Sequence, residues 1–110
     1  MKSSITVSTS GAWMTTGLTF TAKPGNLYGL YCAGVANRGF QIRNSSNVVH
    51  YTYYRSYSGG YTTGFAHLCY MNPNQSSGTY TLYVYPTATG TITNAYIYEI
   101  PLSGSGSPAV

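Results

Sequence analysis

Nowhere in this chain do apolar side chains keep helical spacing, whereas two-residue alternation broken by turn residues recurs from end to end. That pattern confines the chain to an all-β fold, because alternate residues of a strand face opposite sides and one side can then be buried. Ile5 and Val7 alternate with Thr6 and Ser8; Leu18, Phe20 and Ala22 alternate with Thr19 and Thr21, until Lys23-Pro24-Gly25-Asn26 supplies turn chemistry. Leu27 to Val35 is nearly continuously apolar, as suits a central strand covered on both faces. Phe40 and Ile42 oppose Gln41 and Arg43, and Asn44-Ser45-Ser46-Asn47 then leads into Val48 to Tyr53, the clearest hairpin in the chain. Residues 54 to 63 are too irregular for a strand and read as a loop around Gly59-Gly60. Beyond it, Tyr80, Leu82 and Val84 alternate with Thr81, Tyr83 and Tyr85 as far as Pro86.

The expected strands are therefore 3–8, 18–22, 27–35, 39–43, 47–53, 64–71, 78–86 and 91–100. Eight short antiparallel strands in 110 residues make a single antiparallel β-sandwich, jelly-roll-like, with room for one core only. An open barrel has the same periodicity. The sandwich is expected to span residues 1–102, and residues 103–110, rich in Ser and Gly, read as a flexible tail.

Charge narrows the chemistry. Charged residues make up 5% of the chain against a usual ~25%, with Glu99 the single acid and Lys2, Lys23, Arg38, Arg43 and Arg55 scattered singly. Glycosidase or aspartic-protease chemistry needs two carboxylates and is excluded by count. His50 and His67 lie in different expected strands, and with Cys32 and Cys69 they lack the close spacing of metal or nucleophile motifs, so all four read as strand residues and the cysteines as buried free thiols. The chain is not expected to be an enzyme or to hold a cofactor or metal. A net charge of +4 without a basic run makes nucleic acid a poor partner. No apolar run is long enough for a membrane helix or a signal peptide, so neither membrane insertion nor export by that route is expected.

What the sequence does offer is a binding vocabulary. Tyr51 to Tyr61 carries five Tyr (Tyr51, Tyr53, Tyr54, Tyr57 and Tyr61) and Arg55 among Ser, Thr and Gly. Tyr gives large contact area with a polar tip at low conformational cost, and Arg adds forked hydrogen bonding. The same residues equally suit the contact between sister subunits. Trp13 has a flat face fit to stack on a sugar ring, although Met14 and Leu18 nearby also suit a packed tryptophan. Trp13, Tyr51, Tyr53, Tyr54, Arg55, Tyr57 and Tyr61 are thus the expected ligand- or subunit-binding residues.

Three stretches carry a resemblance: Trp13 to Pro24 leading into TFTAKPG, RGFQIRNSSNVV at 38–49, and SGTYTLYVYPTATGTITNAYIYEI at 77–100. Together they resemble β-sandwich and jelly-roll modules of bacteriophage particles, found in tail-fibre tips, receptor-binding proteins and head-decoration proteins. The last stretch is also similar to carbohydrate-binding and tumour-necrosis-factor-like jelly rolls. The resemblance implies a structural or decoration protein on the virion, at head or tail, made in the host cytoplasm and released by lysis. It implies a homo-oligomer, most often a trimer, in contact with other virion proteins or with host surface glycan. A carbohydrate-binding module or receptor-binding tip acting through the Tyr-rich loop is the alternative it carries.

Overall fold

A computed structural model describes residues 4–55, 65–70 and 78–100. They form nine strands: β1 (Ile5–Val7), β2 (Met14–Ala22), β3 (Leu27–Ala33), β4 (Asn37–Asn44), β5 (Val49–Tyr54), β6 (Phe65–Tyr70), β7 (Gly78–Pro86), β8 (Gly90–Ile92) and β9 (Asn94–Ile100). All pairings are antiparallel. One sheet has the order β2-β7-β4-β5; the second is β6-β3-β9, and β1 pairs with β8 apart from it.

Only Thr93 separates β8 from β9, and its N–H donates to the Ala33 carbonyl at 2.9 Å. The two are one path along which the chain leaves β1 and joins β3. Taken together they give an order β1-β8/β9-β3-β6 opposite β2-β7-β4-β5. In that arrangement β1 lies beside β8, β2 beside β7, β3 beside β6 and β4 beside β5. Those are the pairings of one long hairpin rolled on itself, the jelly-roll connection, and not those of an open up-and-down barrel.

Local chemistry explains the bends. Pro24 and Gly25 (φ 83°) occupy the centre of the β2–β3 turn, closed by the Asn26 N–H on the Lys23 carbonyl at 3.3 Å. The β4–β5 hairpin turns at Asn47 (φ 64°), while the Asn44 side-chain oxygen accepts from the Ser46 and Val48 N–H groups, both at 2.9 Å.

The core lies between the sheets. Tyr28, Leu30 and Cys32 from β3 and Ala95 from β9 meet Phe40, Ile42, Tyr80, Leu82 and Val84 from β4 and β7, all buried. Phe20 of β2 packs across on Tyr28 at 5.2 Å between ring centres. Each fully buried aliphatic or aromatic side chain contributes roughly 1.5–3 kcal/mol over exposure.

Several boundaries differ from the sequence expectation. The last strand, expected unbroken over 91–100, is interrupted at Thr93 because it changes partner there. The second begins at Met14 instead of 18; a bulge between Thr15 and Thr19 admits Gly17 (φ 71°), and buried Thr16 donates its hydroxyl to the Leu82 carbonyl at 2.7 Å. The third stops at Ala33, before Gly34 (φ 104°). Tyr54, expected in the loop, closes β5. The rest of the expected loop from residue 56 onward and the tail at 103–110 lie outside the described residues.

Candidate functional site

Because strand residues alternate, each sheet has an outward face, and cross-strand register decides which side chains share it. On β2-β7-β4-β5, the register places Thr15, Tyr83, Gln41 and Thr52 in one row, with Tyr85 and Tyr54 beyond it. Trp13, just before β2, completes an aromatic cluster there. Its ring centre lies 5.3 Å from that of Tyr85, edge-on, and 6.2 Å from that of Tyr54; Tyr54 and Tyr85 are 5.1 Å apart. Such tilted and edge-on contacts are the favoured geometries for aromatic pairs.

The segment before β2 is tied down to hold Trp13 in place. The Gly11 N–H donates to the Pro86 carbonyl at 2.8 Å, and the Tyr85 hydroxyl donates to the Gly11 carbonyl at 2.8 Å. Arg38 donates from Nη1 to the Tyr54 hydroxyl at 3.2 Å, while its buried Nε has no partner among the described residues. Tyr54 remains 41% exposed, so the cluster is open to solvent.

A second group lies two residues along β7. The Arg43 guanidinium sits 3.9 Å from the centre of the Tyr83 ring and donates to Gln41 Oε1 at 2.9 Å and to Asn47 Oδ1 at 3.2 Å. The Tyr83 hydroxyl donates to the same Asn47 oxygen at 3.3 Å. Flat aromatic rings, forked cationic donors, and the hydroxyls of exposed Thr15 and Thr52 thus share one surface. Such a surface can stack on a pyranose ring and hydrogen-bond its hydroxyls; among the described residues it contains no acid or base placed for catalysis.

Of the expected binding residues, Trp13 and Tyr54 come together on this face. Arg55 lies at its margin, its N–H donating to the Arg38 carbonyl at 2.9 Å. Tyr51 and Tyr53 point the other way, between the sheets. The Tyr53 ring stacks on His67 with centres 3.9 Å apart, and the Tyr51 hydroxyl hydrogen-bonds His67 Nε2. Burial pushes the His67 pKa below its ordinary value and, as the largest of its causes, the Tyr51 pKa up. Tyr57 and Tyr61 lie outside the described residues. Tyr83, Tyr85, Arg38, Gln41 and Arg43 were missed; alternation in 80–85 already put Tyr83 and Tyr85 opposite Leu82 and Val84, but their meeting with Trp13 and Arg43 depends on strand pairing.

The remaining reactive groups do not converge. Cys32 and Cys69 are buried thiols not joined in a disulfide, each with its pKa pushed up to about 12, mainly by burial. Tyr28, not Cys32, is the register partner of Cys69, so the thiols are offset by four positions, roughly 13 Å at ~3.3 Å per residue and beyond disulfide reach. His50 bonds Asn44 Nδ2 at 3.0 Å, away from His67. Glu99 accepts from the Tyr28 hydroxyl at 2.8 Å and lies 4.0 Å from Lys23 Nζ. Among the described residues no three His, Cys, Asp or Glu side chains are grouped to hold a metal ion, and no helix is long and apolar enough to cross a membrane. No protein-family model, curated protein or solved structure matches this chain significantly.

Proposed function

We propose that this chain is a structural module on the outside of a bacteriophage particle, at head or tail, and that the open face of β2-β7-β4-β5 touches carbohydrate on the host surface. The observation that carries the reading is the convergence of Trp13, Tyr54 and Tyr85 with Arg38, beside Arg43 on Tyr83, on one solvent-facing sheet. Two further features support it. Eight-stranded jelly rolls are the architecture of viral capsid and lectin domains, which is an argument by analogy of fold. A chain with 5% charged residues also tolerates close packing in an assembly, since few ions need be desolvated.

The module works by presentation. The sandwich fixes its aromatic rings at set distances, so little side-chain freedom is lost when a ligand binds. Arginine without a neighbouring acid gives the face a positive potential, which favours glycans carrying carboxylate or phosphate over neutral ones and makes binding weaken with salt.

Two measurements test the proposal. Mass spectrometry of purified particles is expected to find the chain in stoichiometric amount; particles that lack it contradict the virion role. Binding of the chain to host surface polysaccharide is expected to fall at least about tenfold in Trp13→Ala and Tyr54→Ala, as for loss of a buried aromatic anchor. Unchanged binding in both variants contradicts the carbohydrate role.

A further inference from the structure

The outward face of the other sheet is of a different kind. The register of β3 with β6 and β9 sets Leu68, Gly29 and Tyr98 in one row and Tyr70, Leu27 and Ile100 in the next, with Tyr31 and Tyr96 on the opposite side of Gly29. Leu68 is 53% exposed, Tyr70 49% and Tyr98 50%. Tyr31 stacks on Tyr96 with centres 4.8 Å apart, and Tyr96 reaches Tyr98 at 6.1 Å. Gly29 leaves a flat floor on which the Tyr98 ring lies, so a methyl added at 29 would collide with it. None of these side chains is charged.

We propose that this face is a self-association surface and that its occupant is a second copy of the same chain. Charge distribution argues for a like partner. Arg38 and Arg43 lie on the outward face of the opposite sheet, and Glu99, the register partner of inward-facing Tyr28, turns away from this surface to accept from Tyr28 beside Lys23. Packing two copies through the apolar faces therefore desolvates no described ion. It also holds the arginine-bearing faces apart by three sheet spacings of ~10 Å each, well beyond the screening length of about 8 Å. An anionic partner has nothing on this face to attract it.

Area sets the strength. With aromatic side chains carrying about 150–250 Å² each, three half-exposed and four partly exposed large side chains amount to on the order of 400–500 Å². That is the size of the largest apolar patch on an ordinary monomer, roughly 300–600 Å², and somewhat more than half of the ~800 Å² per partner of a standard interface. The face therefore supports reversible, concentration-dependent association and not an obligate complex.

Sedimentation velocity on the full chain from ~1 μM to ~1 mM tests this, a range that brackets micromolar dissociation constants. The weight-average mass of the wild type is expected to rise with concentration to that of a dimer. Leu68→Lys and Tyr98→Lys are expected to remain monomeric throughout, while Thr79→Lys, which adds the same charge to the opposite sheet's exposed outward face, is expected to associate like the wild type. Circular dichroism reports whether each variant is folded; if Tyr98→Lys is not, Leu68→Lys alone decides. A wild type monomeric at ~1 mM, or a folded Leu68→Lys that associates as the wild type does, overturns the proposal. So does association abolished only by Thr79→Lys.

Discussion

The two outward faces of this sandwich are built from the same residue, tyrosine, and differ in everything placed around it. On β2-β7-β4-β5 the rings of Tyr54, Tyr83 and Tyr85 are accompanied by Trp13, Arg38, Arg43, Gln41 and threonines, and their hydroxyls are engaged by named partners. On β6-β3-β9 the rings of Tyr31, Tyr70, Tyr96 and Tyr98 lie among Leu27, Leu68, Ile100 and Gly29. The first surface carries hydrogen-bonding groups and two guanidinium groups, which suit the ligand recognition proposed for it. The second offers area without charge, as packing against an equal surface requires. Tyrosine content by itself does not distinguish the two faces, for which different roles are proposed; the neighbours brought in by strand register do.

The largest expected effect erases the contrast by removing what the two faces share. Phe40, fully buried between the sheets, supports both, and Phe40→Ala is expected to cost about 3–5 kcal/mol in denaturant unfolding, with ligand binding and association lost together. If only one is lost, the faces are not supported by a common core.

Paired glycine substitutions sharpen the contrast. Gly39 of β4 has no room for a side chain because a methyl there would strike the Tyr53 backbone carbonyl, whereas at Gly29 it would strike only the Tyr98 ring, which can swing. Gly39→Ala is expected to lose about 2–3 kcal/mol, and Gly29→Ala less than about 1 kcal/mol while weakening self-association. Thermal unfolding and sedimentation of the two variants check this order.

A smaller effect is expected from Arg43→Gln. It removes the cation over Tyr83, an interaction of about 0.5–1 kcal/mol where exposed, and should weaken polysaccharide binding, flatten its salt dependence and leave the association state unchanged.

The smallest concerns pH. Burial holds the folded-state pKa of His67 below its ordinary 6.5, among Tyr51, Tyr53 and Phe40, with Cys69 on the same strand. The unfolded chain takes up this proton near 6.5 and the folded chain only at lower pH, so the His67 contribution is fully present above 6.5 and declines as pH falls below it. Unfolding midpoints measured through that range should drop in the wild type and flatten in His67→Gln.

Much of the fold was legible from alternation alone. Residues 78–86 form β7 as expected, since Leu82 and Val84 are apolar, Tyr83 and Tyr85 amphipathic, and Pro86 is a natural stop. The Asn44–Asn47 turn also stands where expected, because Asn tolerates a left-handed backbone. What periodicity left unread was pairing. The first half of β2 is Met-Thr-Thr-Gly, too polar to register as a strand until the Thr16 hydroxyl finds the Leu82 carbonyl. Nothing in 91–100 marks the change of partner at Thr93. Composition groups the Tyr-rich run as binding residues without saying which way each ring faces; period two divides it, sending Tyr51 and Tyr53 inward to His67 and Tyr54 outward to Trp13. More than half of the candidate site lies on β4 and β7, where only cross-strand register brings Arg43 over Tyr83.

The division of labour between the two faces is tested most directly by nuclear magnetic resonance of the isotope-labelled chain, first in a dilution series and then with host surface polysaccharide added to the dilute sample. Dilution is expected to shift resonances of Leu27–Ala33, Leu68–Tyr70 and Tyr96–Ile100, and the polysaccharide to shift those of Trp13, Gln41, Arg43, Tyr54, Tyr83 and Tyr85. Both perturbations falling on one set of residues, or the two sets exchanged, would contradict the account.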